Sequence, residues 1–146
     1  MNDQARVAVV IALIELVRSA DVRDRADAGH GLAAFAEMPE ARAVLASLVL
    51  DADDTFVTVV TAEALLRRKD VVGLGVVAAS FAGADGTQSE WIGTALNDVY
   101  GVFADERDAA VRICSTLSRD PDAQIRRGAI DLITLLNRID PILRPV

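Results

Sequence analysis

The side chains able to do chemistry are few. His30 is the only histidine and Cys114 the only cysteine in 146 residues. His30 follows Asp27 by three positions, which puts both on one helical face. Such a pair is a fragment of a proton relay or of a metal site. A structural zinc site takes about four ligands and a catalytic one about three, and no motif supplies the rest. Cys114 is distant, and its neighbours Ile113 and Leu117 point to burial. A single histidine leaves no Ser-His-acid order worth building. "LVLDADDTF" places Asp51, Asp53 and Asp54 in one short loop. Calcium takes such oxygens, but the twelve-residue spacing, central Gly and closing Glu are missing, and capping of the next helix accounts for Asp53 or Asp54. "GLG" at Gly73 to Gly75 has neither GxGxxG nor a following Lys-Ser/Thr; glycines there suit close helix packing. The expectation is a chain with no catalytic set, no metal and no cofactor.

Binding residues are the other possibility. Asp plus Glu outnumber Lys plus Arg by 22 to 15, for a net charge of -7. Counterion release on nucleic acid needs clustered cations, so that partner class is disfavoured, and a protein partner with basic contacts fits better. Arg67-Arg68-Lys69 is the densest basic patch and reads as a solvated helix end. Arg23 and Arg126 are candidate ligand contacts, with pairing to an Asp of a neighbouring turn as the structural alternative; Arg126-Arg127 alone makes a weak phosphate site. Aromatics are only 4% of the chain. Trp91, Tyr100 and Phe56 are the candidate anchors for a partner, set against a role in core filling. Together with Arg23, Asp27, His30 and Arg127 they make the expected partner-binding set.

Helices must position these residues. The apolar fraction is 52% and is dominated by Ala, Val and Leu, small side chains that suit helix against helix. Eight helical segments follow from apolar spacing. The first spans about Gln4 to Arg18 and reads as amphipathic; its apolar run, Val7 to Leu13, is too short for a signal or a membrane span. The second runs from a cap at Ser19-Ala20-Asp21 to Ala36, and the third from Pro39 to Leu50. The fourth spans Thr55 to Arg68 behind Asp53 or Asp54. "VVGLGVVAASF" after Asp70 has local strand propensity, but a solitary strand among helices is disfavoured and helix is expected. Thr87 to Glu90 has capping-box spacing for a sixth helix reaching Phe103. The seventh covers Asp105 to Leu117. The eighth begins at Asp120 as cap with Pro121 in the first turn, and "IDPILRPV" stops it and drapes over the last layer.

The even-numbered segments repeat. Val22, Val57, Trp91 or Ile92, and Ile125 recur at intervals of about 34, a length that holds two helices and signals an α-solenoid. One hairpin cannot bury its apolar face, whereas a stack of four can. Within that repeat "DPDAQIRRGAIDLI" resembles the second-helix signature of HEAT-type repeats, through Asp120 or Asp122, Ile125-Arg126, Ala129 and Leu132. "DVRDRADAGHGL" is similar through Asp21, Val22-Arg23, Ala26 and Leu32. The segment from Asp54 has Thr58 in the Arg place, and the segment from Glu90 has Gly93 there.

The resemblance implies an all-α, right-handed alpha-alpha superhelix of about four two-helix repeats, in one domain over 1–146. The repeats would fall at approximately 4–37, 38–69, 70–103 and 104–140. It also implies macromolecular binding along a ridge of helices two, four, six and eight, in a bacterial regulatory or toxin-neutralising role. Some HEAT-like families act instead as chromophore lyases or DNA glycosylases; the acidic balance and single tryptophan disfavour both. A third possibility is a homodimer through the valines and isoleucines of the first helix. With one cysteine and no leader-like segment, a cytoplasmic location is expected.

Overall fold

The computed structural model describes residues 1–145, which are helical with no strand. In chain order the helices are α1 (Asp3–Leu16), α2 (Val22–Leu32), α3 (Pro39–Val49), α4 (Thr55–Leu66), α5 (Val71–Ala82), α6 (Gly86–Tyr100), α7 (Ala104–Leu117) and α8 (Ala123–Arg138); a 3-10 turn, Ala33–Phe35, extends α2. None of these helices is long and apolar enough to cross a membrane.

Side-chain oxygens start most of the helices by taking up N–H groups that have no intrahelical partner. Asn2 caps α1, Asp21 caps α2, Asp54 caps α4 and Asp70 caps α5. Pro39 stands in the first turn of α3, as expected. Two expected starts shift. The capping box of α6 is made by Asp85 and Gln88, not Thr87 and Glu90: Asp85 Oδ1 accepts from the Gln88 N–H at 2.7 Å, and Gln88 Oε1 accepts from the Asp85 N–H at 2.9 Å. At α8 the cap is Asp122, accepting from the Gln124 and Ile125 N–H groups. The Asp120 carboxylate instead takes the Asp122 N–H at 2.9 Å, and this turn holds Pro121 outside the helix.

An arginine four residues past the cap recurs and folds back on the preceding turn. Arg25 donates to the Ser19 and Ala20 carbonyls, Arg42 to those of Ala36 and Glu37, and Arg126 to those of Asp120 and Pro121. Each guanidinium satisfies two loop carbonyls that would otherwise compete for water. Arg25 therefore corresponds to Arg126, and the alignment of Arg23 with Arg126 is out of register by two residues.

The helices lie in two rows. α3 packs on α1 and α5, and α7 on α5; beside them α4 packs on α2 and α6. α5 is central and buried on nearly every side from Gly73 to Ala78, which explains how a segment of high strand propensity is held helical. A Cβ at Gly73 would fall on the Leu65 carbonyl, so this glycine permits the α4–α5 approach. The last helix departs from the two-row pattern. α8 lies chiefly along α5 and α7 and touches α6 little. Gly128 makes that crossing possible, because a Cβ there would stand 2.9 Å from Ala78 Cα and closer still to its carbonyl. The expected fourth member of the even-numbered ridge is thus turned onto the middle of the chain.

Leu32, Leu45, Leu65, Leu74, Leu96 and Leu132 are fully buried and run the core through all layers. After α8 the chain returns to the α6–α7 turn, where the Ile142 and Leu143 N–H groups donate to the Gly101 and Val102 carbonyls and Ala104 N–H to Leu143. The expected drape is present.

Candidate functional site

The groups with latent reactivity are placed apart. His30 and Asp27 are exposed on α2, and no other metal-ligating group joins them among the described residues. Cys114 is fully buried in α7, and burial pushes its thiol up to about 12, which removes the thiolate from ordinary pH. Tyr100 is also core: it is 1% exposed, and its hydroxyl donates to the Leu66 carbonyl at 3.2 Å. Burial disfavours the phenolate and makes this hydroxyl a much weaker acid than an ordinary tyrosine. The expectation that Tyr100 anchors a partner is corrected accordingly. Its position, four residues past Leu96 on the buried stripe of α6, already carried that signal.

The basic patch is absorbed internally. Arg68 donates to the Ala33 carbonyl at 2.8 Å and pairs with Asp70 and Glu37, Lys69 pairs with Glu106 at 2.6 Å, and Arg67 lies 4.0 Å from Glu63. Glu37 also pairs with Arg6, whose guanidinium sits 5.2 Å over the Phe35 ring. Its own backbone N–H and the two arginines hold the Glu37 carboxyl below the usual range. Arg23 is solvated, 3.7 Å from its neighbour Asp21. The interlayer tie is made by Arg25 instead, paired with Asp51 at 3.3 Å, both side chains 11% exposed. Asp51 further accepts from the Asp53 and Asp54 N–H groups. The acidic loop is a cap and a clamp. Arg127 is exposed on α8, outside the α2–α4–α6 row.

What remains is a surface on α4 and α6. Phe56 is 50% and Trp91 40% exposed, the first in the opening turn of α4 and the second in the second turn of α6. Seven residues further along each helix, on the same face, stand Glu63 and Asp98. Burial and a hydrogen bond shared with Asp98 hold the Glu63 carboxyl above its ordinary value. Two carboxyls thus meet between α4 and α6, with an aromatic ring upstream on each helix and the α2 stripe of Arg23, Asp27 and His30 alongside. Sequence reasoning missed the acid pair. It needed the register of α4 against α6, which the shared seven-residue spacing from Phe56 and Trp91 hints at but does not fix.

No family model, curated protein or solved structure matches this chain.

On the other row a depression of about 380 Å³ runs between α3, α5 and the start of α8, floored by Val72, Gly75 and Val76. Gly75 opens onto it instead of packing tightly. Its rim groups are already engaged, Arg42 on loop carbonyls and Asp122 on the α8 cap. The α4–α6 surface, with its exposed rings and its half-buried Glu63 beside Asp98, is the stronger candidate.

Proposed function

We propose that this chain is a non-catalytic protein-binding module of the HEAT-like solenoid type, which receives a basic partner on the ridge formed by α2, α4 and α6. Support for the solenoid reading comes from the two rows of helices and from even-helix caps at Asp21, Asp54, Asp85 and Asp122, spaced on average about 34 residues apart. Support for binding rests on one observation: exposed Phe56 and Trp91 lie about two helical turns upstream of a Glu63–Asp98 pair in which burial and the shared hydrogen bond raise the Glu63 acid. A Lys or Arg from a partner, set between those carboxyls, relieves their repulsion and gains two charge-assisted hydrogen bonds. The two rings supply the apolar contact that turns a surface ion pair into an anchored one. A regulatory or neutralising role follows from such a module when the covered partner is itself active.

The test is site-specific photocrosslinking in native extract, with the reactive group at position 56 or 91 and a control at exposed Arg112 on α7. One predominant adduct from both ridge positions, absent from the control and lost on Glu63→Gln with Asp98→Asn, is the expected result. Equal adducts from the α7 position, or an adduct indifferent to the acid pair, would overturn the reading.

A further inference from the structure

The depression between α3, α5 and α8 has a floor lower than packing requires. Gly75 lies inside α5, where glycine weakens a helix relative to alanine. Gly73 and Gly128 are forced, each by a backbone carbonyl that a Cβ would strike. At Gly75 an added Cβ would touch only Leu117 Cδ2, at 3.8 Å, an ordinary contact. Packing within this chain does not ask for that glycine. Its missing side chain deepens a trough of about 380 Å³, a size that holds small ligands, and lets a bound group come close to the backbone.

Charges of opposite sign stand on the two walls and do not meet. Arg42 is on the α3 wall, Asp120 and Asp122 on the α7–α8 wall. None of the three is in an ion pair among the described residues. Each is engaged on one side only. Arg42 Nε and Nη2 donate to the Ala36 and Glu37 carbonyls at 3.1 Å. The end of the guanidinium, where Nη1 and Nη2 present parallel N–H groups, is left over. Asp120 and Asp122 accept backbone N–H groups through Oδ1 alone, which leaves both Oδ2 atoms. Arg126 takes the backbone carbonyls of the same turn and not its carboxylates.

We propose that this trough binds a short apolar peptide with both ends free. Its carboxylate lies on Arg42, its ammonium on Asp120 and Asp122, and its side chains over Val72, Gly75 and Val76. A carboxylate matches the paired N–H groups of a guanidinium, and an ammonium has donors for both aspartates. Length follows from α5: the lining runs from Val71 to Ala79, about 12 Å of helix, which about three extended residues span. An interior segment of another protein lacks both terminal charges and is not the occupant. The trough is on the row opposite the α2–α4–α6 ridge and stands whether or not that ridge binds a partner.

Trileucine is the probe, titrated into the full chain and followed by amide chemical shifts. Saturable shifts should centre on Val72, Gly75 and Val76 and leave Phe56 and Trp91 unmoved. N-acetyl-trileucine and trileucine amide should each bind about tenfold or more weakly; this series uses the unaltered chain and needs no variant to fold. Asp120→Asn keeps the oxygen that holds the turn. It should weaken trileucine by about tenfold and leave the acetylated peptide, which has no ammonium, where it was. Gly75→Leu should fill the trough and abolish binding with the melting point at or above the parent's. No saturable shift up to the solubility limit of trileucine overturns the proposal. So does equal affinity for the three peptides, the mark of a trough that takes apolar matter alone, and so do shifts centred on the α4–α6 surface.

Discussion

Gly128→Ala tests the crossing of α8 on α5. On an exposed helix this change is favourable by about 1 kcal/mol, because Ala is the better helix former. At position 128 the new Cβ would stand 2.9 Å from Ala78 Cα and nearer to the Ala78 carbonyl, where carbon atoms need about 3.5 Å or more. The obstruction is backbone and cannot rotate away. With the Ala78 carbonyl oxygen only 1.7 Å from the new carbon, the helices must part by about 1.5 Å, loosening the fully buried Ala129, Leu132 and Leu136. Overpacking of this kind costs about 1–3 kcal/mol, occasionally more; taking the upper end and crediting the propensity gain leaves a net loss of about 2 kcal/mol. For a chain of this length that lowers the melting temperature by on the order of 8 °C. Gly93→Ala is the matched control, since that glycine lies inside α6 with nothing within 4 Å of the added carbon; it should stabilise by about 0.5–1 kcal/mol. Thermal melts followed by circular dichroism decide the matter. A Gly128→Ala melting point at or above the parent's would refute the close α5–α8 approach.

Three further outcomes follow from the buried and half-buried polar groups. Thr58 has a fully buried hydroxyl with no partner among the described residues, so Thr58→Val should stabilise by about 1 kcal/mol, and a loss in denaturant titration would mean the hydroxyl is satisfied. Because burial and Asp98 raise the Glu63 acid above its ordinary 4.5, the folded chain keeps a proton that the unfolded chain has released; stability therefore falls as pH climbs above about 4.5, until the folded acid too has ionised. Glu63→Gln should remove that decline and raise neutral stability while weakening any basic partner, and a variant less stable at pH 7 contradicts the assignment. Cys114, buried with its thiol pushed up to about 12, should resist alkylation in the native state and react only as the chain unfolds, so rapid native labelling would place it nearer the surface.

Much of the fold is legible in the sequence because helix starts are local. Asp21, Asp54 and Pro39 announce α2, α4 and α3 through caps and fixed φ, and the eight-segment count follows. The shifts at Asp85 and Asp122 arise where several acids or hydroxyls compete within one turn, and the winner depends on which side chain the preceding loop aims at the helix. α5 resolves as helix only because α3, α4, α7 and α8 surround it, a tertiary fact that propensity does not contain. The candidate surface was half legible. Phe56 and Trp91 stand out by residue type, but Tyr100 has the same chemistry and an inward stripe. Glu63 and Asp98 look like ordinary solvated acids until two helices are laid side by side. The direction of α8 is least legible, since Gly128 reads locally as a mere weakening of its helix.

The fold-back of α8 changes how the molecule comes apart. A linear array sheds terminal units one by one from either end, each held only by its neighbour. Here the C-terminal helix is latched to the interior, so its release exposes α5 and with it the whole centre. α1, resting on α2 and α3 with one fully buried side chain, has no such latch. Amide hydrogen exchange should therefore be lopsided, fastest through α1 and slowest in α5 and α8, which would open together as a single cooperative block.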